Sequence, residues 1–305
     1  MAAFLGGSKA FGLGNALSDV DLTVVYDDAA LAGQQRVRSL EAGEIALHCE
    51  LAAVSEYEAL CRMFGAPGLP AATASLDADA LLGKARKVTE LLHGPGVLTS
   101  PEWTALRARL DPANVAALCA AAAATVGALS VRDAAGAARS GDTLTALAAA
   151  QIALEHAFDA ALFAAGDPYR SRKFLPRRLA RNAALAPYLD CLSWRDAEAT
   201  LLTANGVQAA ALLGLGAVWT LRPSGDGPVR SPWATLASTD AGLRIAGLTE
   251  VAVGRPAATL WLLADGRPLP DLAASFAEVC GMRTEDVTAF VATNVASLRT
   301  ADLLL

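Results

Sequence analysis

An α+β fold is what this sequence predicts: an N-terminal α/β domain with a mixed sheet, then a helical bundle, then a small strand-and-helix domain. Three observations carry that expectation. An apolar strand, a glycine turn and a second strand open the chain. From Pro101 to about Leu215, apolar residues recur at helical spacing. After Arg222-Pro223-Ser224-Gly225-Asp226-Gly227-Pro228, short strand-like pieces return ahead of closing helices. The expected domains are 1–98, 99–221 and 222–305.

Taken in order, Ala2–Leu5, Val20–Tyr26 and Glu44–Val54 read as strands, rich in β-branched or alternating apolar residues. Glu56–Phe64 reads as a helix and Gly65–Pro70 as a loop. A helix over Leu81–Leu92 stops at His93-Gly94-Pro95, where proline and glycine end the pattern. Ala113–Leu129, Thr143–Ala165, Pro176–Leu185 and Trp194–Leu213 are the expected bundle helices. Strands at Trp233–Ala237, Leu243–Ala246 and Glu250–Val253 precede helices at Leu269–Cys280 and Thr284–Thr300.

The chemistry concentrates near the start. Gly7-Ser8 is followed by Ser18-Asp19-Val20-Asp21-Leu22. Strand side chains alternate, so Asp19 and Asp21 point one way while Val20 and Leu22 are expected to face the core. Two carboxylates that close repel unless a cation or a shared proton sits between them. Mg²⁺, a hard ion that keeps substrate phosphate in its shell, suits such a pair. Gly7 lets a backbone approach a triphosphate with no Cβ in the way, and Ser8 offers a hydroxyl and an N–H to its oxygens. Lys9 reads equally as a phosphate contact and as a surface lysine.

The run Phe4-Leu5-Gly6-Gly7-Ser8-Lys9-Ala10-Phe11-Gly12, continuing to Ser18-Asp19-Val20-Asp21-Leu22-Thr23-Val24-Val25, resembles the signature of polymerase-β-like nucleotidyltransferases. The nearest flavour is the branch that includes aminoglycoside nucleotidyltransferases. The resemblance implies a mixed-sheet catalytic domain followed by a helical domain, with a third acid on a later strand. Glu50 in Ala46-Leu47-His48-Cys49-Glu50-Leu51 fills that place. It implies two Mg²⁺ ions, replaceable by Mn²⁺, on Asp19, Asp21 and Glu50, and an NTP, ATP first, as donor. Relatives place a helical-domain lysine on the triphosphate. Within the basic group Arg170, Arg172, Lys173, Arg177, Arg178 and Arg181, Lys173 takes that role, with a solvated charged face as the alternative. Glu155 and Asp159, four apart on one helix, read as a general base or as a surface pair.

A second resemblance lies in Ala257-Ala258-Thr259-Leu260-Trp261-Leu262-Leu263-Ala264-Asp265-Gly266-Arg267-Pro268-Leu269, which looks like the hallmark of PqqD-like winged-helix domains. It implies that residues 222–305 take a peptide as an added strand, as in natural-product pathways.

Composition sets outer bounds. A net charge of −6 over 305 residues argues against wrapping nucleic acid by bulk attraction. Five scattered cysteines (Cys49, Cys61, Cys119, Cys191, Cys280) without Cys-x-x-Cys spacing read as free thiols in a reducing cytoplasm. The N-terminus has no signal-peptide pattern, and the alanine-rich run Val115–Val131 reads as a buried helix rather than a membrane span. Together the two resemblances imply nucleotidyl transfer to a peptide or pathway hydroxyl. The alternatives are a small-molecule, aminoglycoside-like transferase and a binding protein of the same fold without turnover.

Overall fold

The computed structural model describes residues 2–15, 18–31, 36–42, 45–65, 78–215, 225–239, 242–247 and 249–305. Most of the expected 65–70 loop, Trp219 and the boundary near residue 221 lie outside these residues. The chain divides into two compact units. Unit 1 comprises Met1–Cys119 together with Gly166–Arg178, and unit 2 comprises Ala120–Ala165 with Leu179–Leu305. The boundary expected near residue 98 falls inside unit 1.

Unit 1 is built on a five-stranded mixed sheet of order β3-β4-β2-β1-β5. Its strands are β1 (Ala2–Gly6), β2 (Val20–Tyr26), β3 (Val37–Ala42), β4 (Ile45–Ala53) and β5 (Gly96–Leu98). β2 and β4 run parallel; the other pairs are antiparallel. Register puts Ala2, Phe4, Gly6, Val25, Thr23, Asp21, His48, Glu50 and Ala52 on one face, since paired residues project to the same side. That face is the deep one. Ala2, Phe4, Thr23, Val25 and Ala52 are all buried there. Phe4 stacks on Trp103 at 5.6 Å and meets Tyr57 edge-on at 5.8 Å. Tyr57 comes from helix Val54–Gly65 and Trp103 from helix Pro101–Arg107, whose N-cap Ser100 accepts the Trp103 N–H.

This reverses one expectation. Val20 and Leu22 are only half-buried, and the acids share their face with the aromatic core. Period-two alternation fixes which residues go together but not which set the helices cover.

In unit 2, helices Thr143–Ala164 and Ala197–Leu213 pack along each other. Their meeting surfaces are small: Ala150, Ala153, Ala157, Ala204 and Ala210 are buried. A Cβ on Gly127 of helix Pro112–Arg139 would stand 2.9 Å from Gln208 Oε1 and 3.4 Å from His156 Cβ, so a bare backbone is needed at that crossing. The helix expected at Ala113–Leu129 runs on to Arg139 because Val131, Ala134 and Ala135 continue its buried stripe. Pro112–Arg139 and Thr143–Ala164 are long and apolar enough to cross a membrane by length and composition. Half of the most apolar stretch of the first, and two thirds of that of the second, is buried within the protein.

The C-terminal part of unit 2 is a three-stranded antiparallel sheet, β6 (Thr235–Thr239), β7 (Gly242–Ala246) and β8 (Glu250–Val253), in that order. Helices Arg255–Leu263, Leu269–Cys280 and Thr284–Thr300 follow. Trp261 is fully buried and donates its indole N–H to Leu303 O at 3.0 Å. Gln208, 2% exposed, donates to Thr235 Oγ1 and to Leu236 O at 3.0 and 2.9 Å, and Asn205 donates to Pro232 O. Helix Ala197–Leu213 is thereby stitched to β6.

Candidate functional site

The site begins where β1 ends. Gly7 has φ +62°, a left-handed backbone that glycine adopts at no steric cost. A Cβ there would lie 1.6 Å from Asp21 Oδ2, so the Asp21 carboxylate rests directly on the Gly7 backbone. Pairing of Gly6 with Asp21 across β1 and β2 delivers it to that spot. Asp21 is half-buried, whereas Asp19 is exposed. Burial, and then the Asp19 charge, push the Asp21 carboxyl above its ordinary range; Arg86, His48 and Lys173 pull it back.

Ser8 is 4% exposed, and its carbonyl accepts the N–H groups of Leu13 and Gly14 at 2.8 and 3.0 Å. Gly12, at φ +65°, turns the chain so that this loop folds back on Ser8. Lys9 is exposed beside it. The Gly7 N–H is already engaged, donating to Glu90 Oε1 at 3.1 Å. Gly7 therefore admits the Asp21 carboxylate and reaches Glu90 through its N–H.

Glu50 lies on the same face as Asp21, one strand over and two residues along. Its carboxylate accepts from Lys87 Nζ at 2.7 Å, and the same ammonium lies 3.6 Å from Glu56. Burial works against the Lys87 charge, but the hydrogen bond and charge of Glu50, then those of Glu56, raise its pKa all the same. The Asp19 charge bears on Asp21. Among the described residues, no three or more His, Cys, Asp or Glu side chains gather as a metal-ligand group.

Helix Ala78–His93 lays a row of charges along this edge. Arg86 Nε donates to Glu90 Oε1 at 2.9 Å, with the Glu90 side chain 3% exposed. Burial opposes the Arg86 charge, but the Glu90 charge and hydrogen bond, then Asp21, hold its pKa above the ordinary value. Arg86, Lys87 and Glu90 were absent from the expected site. The available signal was a lone carboxylate in Val88-Thr89-Glu90-Leu91-Leu92, all five of which are buried. A charge in such a run needs a partner inside.

Lys173 reaches the site from far along the chain. Segment Gly166–Arg178 belongs to unit 1, and within it Tyr169 and Phe174 pack with Leu13 and Phe11. Phe11 and Tyr169 rings are 4.7 Å apart. Arg178, fully buried, donates Nε to Asp167 Oδ2 at 3.2 Å, and Arg177 Nη1 donates to Leu13 O at 2.5 Å. Pro176 stands one residue into helix Leu175–Arg181, after a 3₁₀ turn over Arg172–Phe174, so Arg170, Lys173, Arg177 and Arg181 do not lie on one continuous helix. Lys173 is exposed, its Nζ 4.9 Å from the centre of the Phe174 ring, and it acts on the Asp21 charge. Glu155 and Asp159 belong to unit 2, and Asp159 is 8% exposed.

Asp19 and Asp21 form a donor pair that suits a hard cation. Asp19 and Asp21 repel each other, and Mg²⁺ commonly takes one or two carboxylates with substrate phosphates and water completing its shell. Glu50 holds Lys87 through Oε1, so a cation at this carboxylate would share it with an ammonium. No protein-family model matches the chain, and no curated protein matches it.

Proposed function

We propose that the chain is a Mg²⁺-dependent nucleotidyltransferase, with Mn²⁺ able to substitute. It moves a nucleoside monophosphate from an NTP, ATP first, to an acceptor hydroxyl and releases pyrophosphate. The observation that supports this most is the Asp21 carboxylate seated on Gly7, with Asp19 beside it and Lys173 acting on the same charge.

In this proposal Asp19 and Asp21 hold Mg²⁺, which supplies charge neutralisation at the phosphates. The acceptor oxygen bonds to the α-phosphorus, the bond to the bridging oxygen breaks, and pyrophosphate leaves with the electron pair. The hydroxyl proton passes to Glu50, which Lys87 holds in place. Lys173 and Lys9, both exposed cations of unit 1, offer charge to the departing phosphates. The acceptor is a peptide or a pathway intermediate in natural-product biosynthesis, recruited by residues 222–305. The sheet order leaves β8 at an edge, where an added strand would find main-chain partners. Four buried thiols suit a cytoplasmic setting.

The test is incubation of the full chain with each labelled NTP, Mg²⁺ and two acceptor sets: peptides encoded beside its gene, and free aminoglycosides. Label on a peptide with pyrophosphate release supports the proposal, with Asp21→Asn abolishing turnover in a folded protein. Label on the aminoglycoside alone supports the small-molecule alternative. No turnover together with no Mg–NTP binding overturns both.

A further inference from the structure

Glu90 is the buried charge that the proposed reaction leaves without a task. Its side chain is 3% exposed, and an ionised group buried to that degree needs partners. Its Oε1 accepts two hydrogen bonds: from the Gly7 N–H at 3.1 Å and from Arg86 Nε at 2.9 Å. Gly6 is shaped to it as well, since a Cβ there would stand 2.9 Å from Glu90 Cδ and 3.0 and 3.1 Å from its oxygens. The two glycines thus lie between two carboxylates, with Glu90 against Gly6 and Asp21 against Gly7.

Arg86 completes the arrangement. It sits one helical turn before Glu90 on the same face, with its side chain 53% exposed. The bond to Glu90 uses Nε–H and leaves the four Nη–H donors outside that pair. The Glu90 oxygen that holds the guanidinium also holds the Gly7 N–H, and the Asp21 carboxylate lies against Gly7, so this geometry sets Arg86 near the acid of the site. Since Glu90 already holds the Gly7 amide, the Gly-Ser turn keeps less of its backbone for a phosphate.

We propose that Arg86 makes the anion contact to the nucleotide's β and γ phosphates and that Glu90 is its positioning residue, fixing the guanidinium and the Gly6–Gly7 turn together. The planar fork of Arg suits bidentate phosphate contact in a way a lysine point charge does not. The assignment rests on the nucleotide-binding proposal above and deepens it.

The test is Mg²⁺-dependent binding of an NTP and of the matching NMP to the full chain by titration calorimetry, for the parent, Arg86→Met, Arg86→Lys and Glu90→Gln. Arg86→Met is expected to weaken the NTP about ten- to a hundredfold, the range for a charge-assisted contact. It leaves the NMP within about twofold, so the preference for triphosphate collapses. Glu90→Gln keeps an acceptor for the Gly7 N–H but loosens Arg86, and shifts the same ratio in the same direction by a smaller factor. Arg86→Lys keeps the charge without the fork and falls between parent and Met; it carries the test if the Met variant does not fold. An unchanged NTP-to-NMP ratio in the Arg86 variants, or equal weakening of both ligands, overturns this assignment while nucleotide binding stands. A parent protein that binds no nucleotide overturns the broader proposal and this one with it.

Discussion

Replacing Gly7 by alanine tests the geometry at the heart of the site. Two costs add. An L-residue at φ +62° pays about 1–2 kcal/mol for the left-handed backbone. The new methyl would also fall 1.6 Å from Asp21 Oδ2, 2.4 Å from Cγ and 2.8 Å from Cβ, so the strand or the side chain must move. Overpacking of that kind costs about 1–3 kcal/mol. The expected total, about 2–5 kcal/mol, is a large part of the stability of an ordinary domain. In an Asp21→Gly background the obstruction is gone and only the backbone cost remains. The double-mutant cycle should therefore return a coupling of about 1–3 kcal/mol. Amide hydrogen exchange at Leu5 and Leu22, paired across β1 and β2, reads this in unit 1 alone, alongside urea unfolding of the whole chain. Equal losses in the two backgrounds, or no loss in the parent, would refute the close approach of Asp21 to Gly7.

Four further outcomes can be measured. Asp21 titrates above its ordinary range because of burial and then Asp19, so the folded state binds that proton more tightly than the unfolded chain. Stability from this source falls as pH rises through the raised value. In chelator, Asp21→Asn is expected to unfold at higher urea than the parent at pH 7, the difference closing below about pH 3.9. Mg²⁺ at a hundred times its Kd should add about 2.7 kcal/mol to the parent and nothing to that variant. Gln208→Leu strips the Leu236 carbonyl and Thr235 hydroxyl of a buried donor, and should cost about 1–3 kcal/mol in urea unfolding. Burial raises the thiols of Cys61 to about 11 and Cys119 to about 12, and Cys280 alone of the five is exposed. Brief maleimide treatment at pH 7 should modify Cys280 and spare the rest, read by peptide mass spectrometry.

The parts of the fold legible in the sequence are those whose periodicity is enforced by a core. Val20–Tyr26 has the bounds its β-branched run predicts, and Thr143–Ala164 ends within a residue of its expected stop. β3 was not legible because it is an edge strand whose Val37 and Leu40 stay exposed, so no apolar stripe marks it. β5, Gly96–Leu98, is exposed at all three positions and exists through backbone pairing with β1. Around the candidate site, the turn at Gly7 and the strand that carries Asp21 could be read because their signals are local. The Lys87 partner of Glu50 could not, since nothing in either segment specifies which helix face lies over β4. Lys173 was reached by resemblance, while the contact that brings it near Asp21 depends on Tyr169 and Phe174 finding Leu13.

That last packing has a consequence for how the polypeptide is made. Leu13 is covered by aromatic rings that leave the ribosome long after it does. A nascent chain halted at Cys119 therefore holds every strand of the five-stranded sheet and still bares the loop behind Ser8 to water. The first unit finishes folding only after helix Thr143–Ala164 of the second has been synthesised, so neither can be cut out as one continuous stretch of gene.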